Sequence, residues 1–194
     1  MPGLFNARNL AMAFLSTVLS QAQEPDLDDP FSSAALPDFS ACQGVKRRQE
    51  ILVDKESLIV LSDFGHHPTA IEGTLESLRA RWPGRRMIAC FEPRSNTAVT
   101  NVFQDRFADA LSLADEALLG AVHRAEKIPA DKRIDPRAMI KRIEEAGKQG
   151  RAFAQNSELA DFLVTQLDDR PTLVVFFSNG SFDGVIDRFA KFAS

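Results

Sequence analysis

Apolar and polar positions follow one rhythm up to about residue 22 and another from about residue 38. The first stretch sets Leu10, Phe14, Leu15, Val18 and Leu19 against Asn9, Ser16, Thr17 and Ser20, which predicts an amphipathic helix over residues 1–22. Residues 23–37 carry Asp28-Asp29 and are broken by Pro25, Pro30 and Pro37, so continuous helix is forbidden there and the stretch reads as a linker. Beyond it, short apolar runs predict strands at 49–54, 58–63, 86–91, 116–121, 151–155 and 172–178. Helical spacing fills the gaps, at 68–82, 103–114, 136–148, 158–167 (capped by Ser157) and 184–192. The run Leu173-Val174-Val175-Phe176-Phe177 is apolar throughout, as in a strand buried on both faces.

Strand alternating with helix predicts an α/β fold: a doubly wound, mostly parallel sheet flanked by helices, over residues 38–194. Ligands of such sheets gather at the carboxyl ends of the strands. Three strand ends carry polar clusters: Asp63-Phe64-Gly65-His66-His67, Phe91-Glu92-Pro93-Arg94-Ser95-Asn96-Thr97, and Ser178-Asn179-Gly180-Ser181-Phe182-Asp183-Gly184. Asp63 at a strand tip is suited to ribose hydroxyls and the adjacent histidines to phosphate, although both residue types also satisfy loop amides. Arg94, beside Ser95 and Asn96, has the fork geometry for a carboxylate or phosphate; a turn with a solvated arginine is the plain alternative.

Composition narrows the partners. The 194 residues are 44% hydrophobic and 26% charged, with a net charge of −4 and no basic stripe, so a general nucleic-acid binder is excluded. Cys42 and Cys90 lie far apart and suit a reducing compartment. Residues 8–22 have some features of a secretory signal, with Arg8, a short apolar run and Ala22, but the run is too short to span a bilayer. No Gly-x-x-x-x-Gly-Lys-Ser/Thr phosphate loop is present, and two histidines with few other soft ligands do not make a zinc site.

Together, residues 44–50, 63–79, 91–97 and 178–184 resemble the Mur ligase superfamily, and within it the murein peptide ligases; the resemblance spans essentially all of residues 38–194. Gly3-Leu4-Phe5-Asn6-Ala7-Arg8-Asn9 looks like the end of that family's central ATPase domain. The resemblance implies an ATP-dependent amide-forming ligase that joins UDP-N-acetylmuramate to L-Ala-γ-D-Glu-meso-diaminopimelate in cytoplasmic cell-wall peptide recycling. It implies ATP contacts at Asn6, Asn9, Arg48, Asp63 and His66, and peptide contacts at His67, Arg94, Ser95, Asn96, Ser178 and Asn179. The phosphate loop, the Mg²⁺ ligands and the UDP-sugar site belong to amino-terminal and central domains that this chain lacks. The chain is therefore expected to be a carboxy-terminal portion that closes over ATP and selects the tripeptide, inactive alone and not membrane-bound. Departures from the family pattern are Phe5 in place of histidine, Ser62 in place of aspartate and Asp183 in place of glycine. Two other readings stay open: an alanine-adding ligase of the same superfamily, or a non-catalytic module that binds nucleotide or murein peptide.

Overall fold

A computed structural model describes residues 4–21, 28 and 45–194 of the chain, which divides into two compact units at Gly44/Val45. Most of the expected linker, the Asn6 side chain and Cys42 lie outside the described residues. The first unit contains helix α1 (Leu4–Gln21), whose Ser16 and Thr17 hydroxyls donate back to the carbonyls of Met12 and Ala13. No described helix is long and apolar enough to cross a membrane.

The second unit is a six-stranded sheet in the order β1-β2-β6-β3-β4-β5. Its strands are β1 (Glu50–Asp54), β2 (Leu58–Asp63), β3 (Arg86–Phe91), β4 (Glu116–Leu119), β5 (Gln149–Ala152) and β6 (Thr172–Phe177). All neighbours pair in parallel except the edge strand β1, which runs antiparallel to β2. Every residue of β2, β4 and β6 is buried, as expected for strands covered on both faces.

Three helices, α2 (Pro68–Arg81), α3 (Gln104–Leu111) and α4 (Pro136–Glu145), cover one face. Ile71, Leu75 and Leu78 of α2 join Phe107, Met139 and Ile143 in the core there. The other face is covered by α5 (Asn156–Thr165) and α6 (Val185–Ala193), through Leu159, Leu163, Ile186 and Phe189. The chain thus winds along one face from β2 to β5, then turns back to lay β6 between β2 and β3. Loops beside β6 leave for opposite faces, so the strand order opens a crevice at its carboxyl end.

Some element boundaries differ from the sequence reading. Helix α3 stops at Leu111, before the expected residue 114, because the Ser112 hydroxyl takes the Ala108 carbonyl and the chain turns to deliver Asp115 to the Met87 amide. Helix α4 stops at Glu145, before the expected 148, as Gly147 turns in the left-handed region (φ 76°). Strand β4 ends at Leu119 rather than 121. Strand β5 lies at Gln149–Ala152 rather than 151–155, an edge strand with alternate residues exposed and no apolar run to mark it. The cap of α5 is Gln155 rather than Ser157, with Glu158 reaching back to its amide, and the helix opens on Asn156, which is buried.

Candidate functional site

Register places Asp63, Phe177 and Phe91 side by side at the ends of β2, β6 and β3. One residue further, the Ser178 amide donates to the Asp63 carbonyl and the Glu92 amide to the Phe177 carbonyl. The three polar loops therefore emerge side by side, and the first side chains of the second and third form one network.

Glu92 is its hub. Only 2% exposed, it accepts hydrogen bonds from Arg94 (Nη1, 3.3 Å), from Asn156 (Nδ2, 3.4 Å) and from the Ser178 hydroxyl. Ser178 in turn accepts the Gly180 amide at 2.8 Å. The other carboxylate on Asn156 is Asp183, 2.7 Å from Nδ2. Asp183 sits in the left-handed region (φ 51°, ψ 34°), where glycine is favoured and aspartate is among the better tolerated side chains. That conformation explains how aspartate stands where the family pattern has glycine. Sequence reading passed over Glu92 and Asn156. The available signal was a carboxylate directly following an apolar strand; the Asn156 contact, 64 residues distant, had none.

Gly180 fixes Arg94 from the other side. A Cβ at Gly180 would fall 2.3 Å from Arg94 Nε, so only glycine lets the guanidinium cross this backbone. Arg94, half-buried at 28% side-chain exposure, lines a cleft of about 560 Å³ with Ser95, Asn96, Asn179, His123, Arg124 and Lys127 among its walls. Four of the expected peptide residues thus share one cleft. Ser95 also accepts the Ala98 amide, which shapes its turn. Ser178 is 1% exposed and lies behind the cleft wall, holding Glu92. His67 caps α2, accepting the Thr69 amide at Nδ1, with its ring edge-on to Phe103 at 5.1 Å.

The expected nucleotide residues occupy the β1–β2 side. Asp63 is 4% exposed; Oδ1 accepts the Gly65 amide at 2.6 Å and Oδ2 the Gln49 amide at 2.9 Å. Burial raises its pKa above 3.8, against those two amides and the charge of Arg48, which lower it. Asp63 therefore ties the segment before β1 to the loop after β2. The Arg47 guanidinium donates to the carbonyls of Ser178 (2.6 Å) and Gly180, binding the same segment to the third loop. Arg48 is exposed, its guanidinium 5.1 Å from the centre of the Phe64 ring. His66 is half-buried with Nδ1 3.0 Å from the Phe64 carbonyl, leaving Nε2 for another partner. Arg48 and His66 are thus the groups here suited to a phosphate; Asp63 is occupied mainly with the loop itself. Asn9 lies on α1, in the other unit. Among the described residues no three His, Cys, Asp or Glu side chains gather, so none is assigned to Mg²⁺.

Comparison with known proteins matches this arrangement to one family. Residues 47–180 match the Mur ligase glutamate ligase domain. A UDP-N-acetylmuramate–L-alanine ligase of Cytophaga hutchinsonii is 32% identical over 131 residues, 68% of this chain and 26% of its own length. The crystal structure of a murein peptide ligase from Psychrobacter arcticus superposes with a TM-score of 0.61 at 28% identity, over 78% of this chain and 31% of that one. A UDP-N-acetylmuramate–alanine ligase of Thermotoga maritima superposes with a TM-score of 0.68 at 21% identity, over 98% of this chain and 38% of its own, which speaks to the fold. The chain spans about a quarter to two-fifths of the length of these three relatives.

Proposed function

The chain belongs to the Mur ligase family, as its glutamate ligase domain, and we propose that it works within an ATP-dependent ligase joining UDP-N-acetylmuramate to L-Ala-γ-D-Glu-meso-diaminopimelate. In this reading it is the carboxy-terminal jaw of the enzyme, acting in the cytoplasm in cell-wall peptide recycling. ATP phosphorylates the muramyl carboxylate, the peptide amine attacks the acyl phosphate, and phosphate leaves. The residues described here bind and orient. Arg48 and His66 meet phosphate oxygens as the domain closes, while Arg94 pairs a peptide carboxylate through its planar fork. Closure brings the reactants together and excludes water, and Mg²⁺ is held by residues of other domains.

The observation carrying the peptide assignment is the cleft around Arg94. Its volume of about 560 Å³ is far more than one alanine needs, and Arg94, Arg124 and Lys127 line it without a carboxylate among the lining residues. A single amino acid with one carboxylate would leave most of that charge unanswered. The alanine-adding activity is the second reading, favoured by the curated relative at 32% identity.

The test is phosphate release by the complete enzyme containing this chain, given ATP, UDP-N-acetylmuramate, and either murein tripeptide or L-alanine. Tripeptide is expected to be the preferred acceptor; preference for L-alanine overturns the assignment. Arg94→Ala is expected to raise the KM for tripeptide at least tenfold with little change in that for ATP, as loss of one charge-assisted pair of about 1.5–3 kcal/mol implies.

A further inference from the structure

We infer that the cleft contains a second anion subsite, made by Arg124 and Lys127 across from Arg94, and therefore takes a peptide bearing two separated carboxylates. The inference rests on the reading of this cleft as a peptide site, and it assigns residues that neither the motifs nor the strand-end rule singled out.

The case begins with the loop after β4. The His123 amide donates to the Pro93 carbonyl at 2.9 Å, which pins this loop to the loop bearing Arg94. Arg124 then takes a left-handed conformation (φ 51°, ψ 39°), uncommon for a residue with a side chain. It opens a single 3-10 turn, Ala125–Lys127, closed by the Lys127 amide on the Arg124 carbonyl. At the two ends of that turn, Arg124 and Lys127 both line the cleft. An uncommon backbone conformation at the residue that starts the turn is the kind of cost retained where a side chain must be aimed.

Charge supplies the second observation. Neither Arg124 nor Lys127 makes an ion pair or side-chain hydrogen bond among the described residues, and no acidic residue lines the cleft. Arg94 is compensated by buried Glu92 beneath it, so it is held in place before any ligand arrives. The two cations across the cleft have no such counterpart. Both are exposed and available to a ligand, and unpaired cations lining a cleft gather anions.

The uncharged lining fits the same ligand. Ser95, Asn96 and Asn179 line the cleft beside the three cations, and hydroxyl and amide side chains pair with the groups of a peptide backbone. Two anchors for carboxylate with uncharged polar groups on the same walls describe an acidic peptide better than a lone amino acid or a phosphate.

The test uses the 194-residue chain itself and simple probes. Amide shifts of the isotope-labelled protein are followed while butyrate, glutarate, adipate, pimelate and suberate are added in turn. A dicarboxylate of intermediate length is expected to bind at least tenfold more tightly than butyrate, shifting residues of both loops. The double variant Arg124→Gln/Lys127→Gln should lose that advantage and bind the dicarboxylate no better than butyrate, with the rest of its spectrum unchanged. Lys191→Gln, on α6 of the opposite face, should leave the discrimination intact. Equal binding of mono- and dicarboxylates, or an advantage that survives the double variant or falls equally in Lys191→Gln, overturns the second subsite. If dicarboxylates bind as expected while the complete enzyme refuses murein tripeptide, the subsite stands and the substrate assignment falls.

Discussion

Both rims of the sheet are rich in arginine and lysine, yet they pair that charge to different extents. At the amino ends of the strands, Arg79, Arg85, Arg86, Lys148 and Arg170 surround a cavity of about 590 Å³. There Arg79 and Lys148 share Asp115, Arg86 meets Glu116, and Arg170 clasps Asp168, while Arg85 makes no ion pair among the described residues. The carboxyl-terminal turns of α2 and α4 end at this rim, and basic side chains answer the partial negative charge that helix ends present. At the carboxyl ends, Arg94 alone is answered, by Glu92, and Arg124 and Lys127 are left open. Cavity size does not separate the two rims; four of the five cations lining the first are in ion pairs, and one of the three lining the second. Arg86, closed into a buried pair, is part of the scaffold; Arg124 and Lys127 stand open at the cleft, and Arg94 is seated by Glu92 while still lining it.

The largest effect that tests this contrast is on stability. Arg86 and Glu116 are 11% and 5% exposed, so Arg86→Ala strands a buried carboxylate and is expected to cost about 3–5 kcal/mol in urea denaturation. Arg124→Gln, on an exposed and unpaired residue, should stay within about 0.5 kcal/mol of the parent. Comparable losses at the two positions would erase the distinction between scaffold and ligand charges.

Of intermediate size is Gly180→Ala. Its methyl group cannot share space with the Arg94 guanidinium, which must swing away from Glu92, and the buried carboxylate left without its cation is expected to cost about 1–3 kcal/mol. Acceptor binding should weaken as it does in Arg94→Ala. An unchanged KM for the acceptor would mean that Arg94 does not need this seat.

The smallest effect is the pH response, which has opposite signs at the two rims. At Asp115 burial acts to raise the pKa, but the Met87 amide, Arg79 and Lys148 outweigh it and hold the carboxyl below 3.8. Its stabilisation is complete above 3.8 and is lost as pH falls through the lower folded value. Asp63, raised by burial, behaves conversely: the folded state binds the proton more readily, so stability declines as pH rises from 3.8 through the raised folded value. Carboxyl carbon shifts followed through acid titration would show the two groups on opposite sides of 3.8. Arg48→Gln should move Asp63 further up, since the Arg48 charge is one of the influences lowering it.

Much of this was readable in the residues. The apolar runs and helical spacings predict the order of strands and helices, because burial on two faces demands continuous apolar strands, as in β6, and burial of one helix face demands the Ile71-Leu75-Leu78 stripe. The strand-end rule and the family resemblance point to the three polar loops, and with them to Arg94, Ser95, Asn96 and Asn179. Exposed or weakly apolar elements were less legible: β5 and the start of α5 depend on pairing with β4 and on capping contacts rather than on a run of apolar residues.

Tertiary structure alone decided which charges are spent. Its place after an apolar strand marks Glu92 only as a candidate, and nothing local tells Arg124 from the paired Arg86; only the return of β6 between β2 and β3 carries Ser178 to Glu92, and only the crossover to α5 delivers Asn156 beside them. Periodicity along a chain reports which side chains must leave water, since that requirement repeats with every turn or pleat. The contacts that seat Arg86, Ser178 and Asn156 repeat with nothing: they join residues 30 to 90 positions apart, and those distances exist only once the sheet has closed.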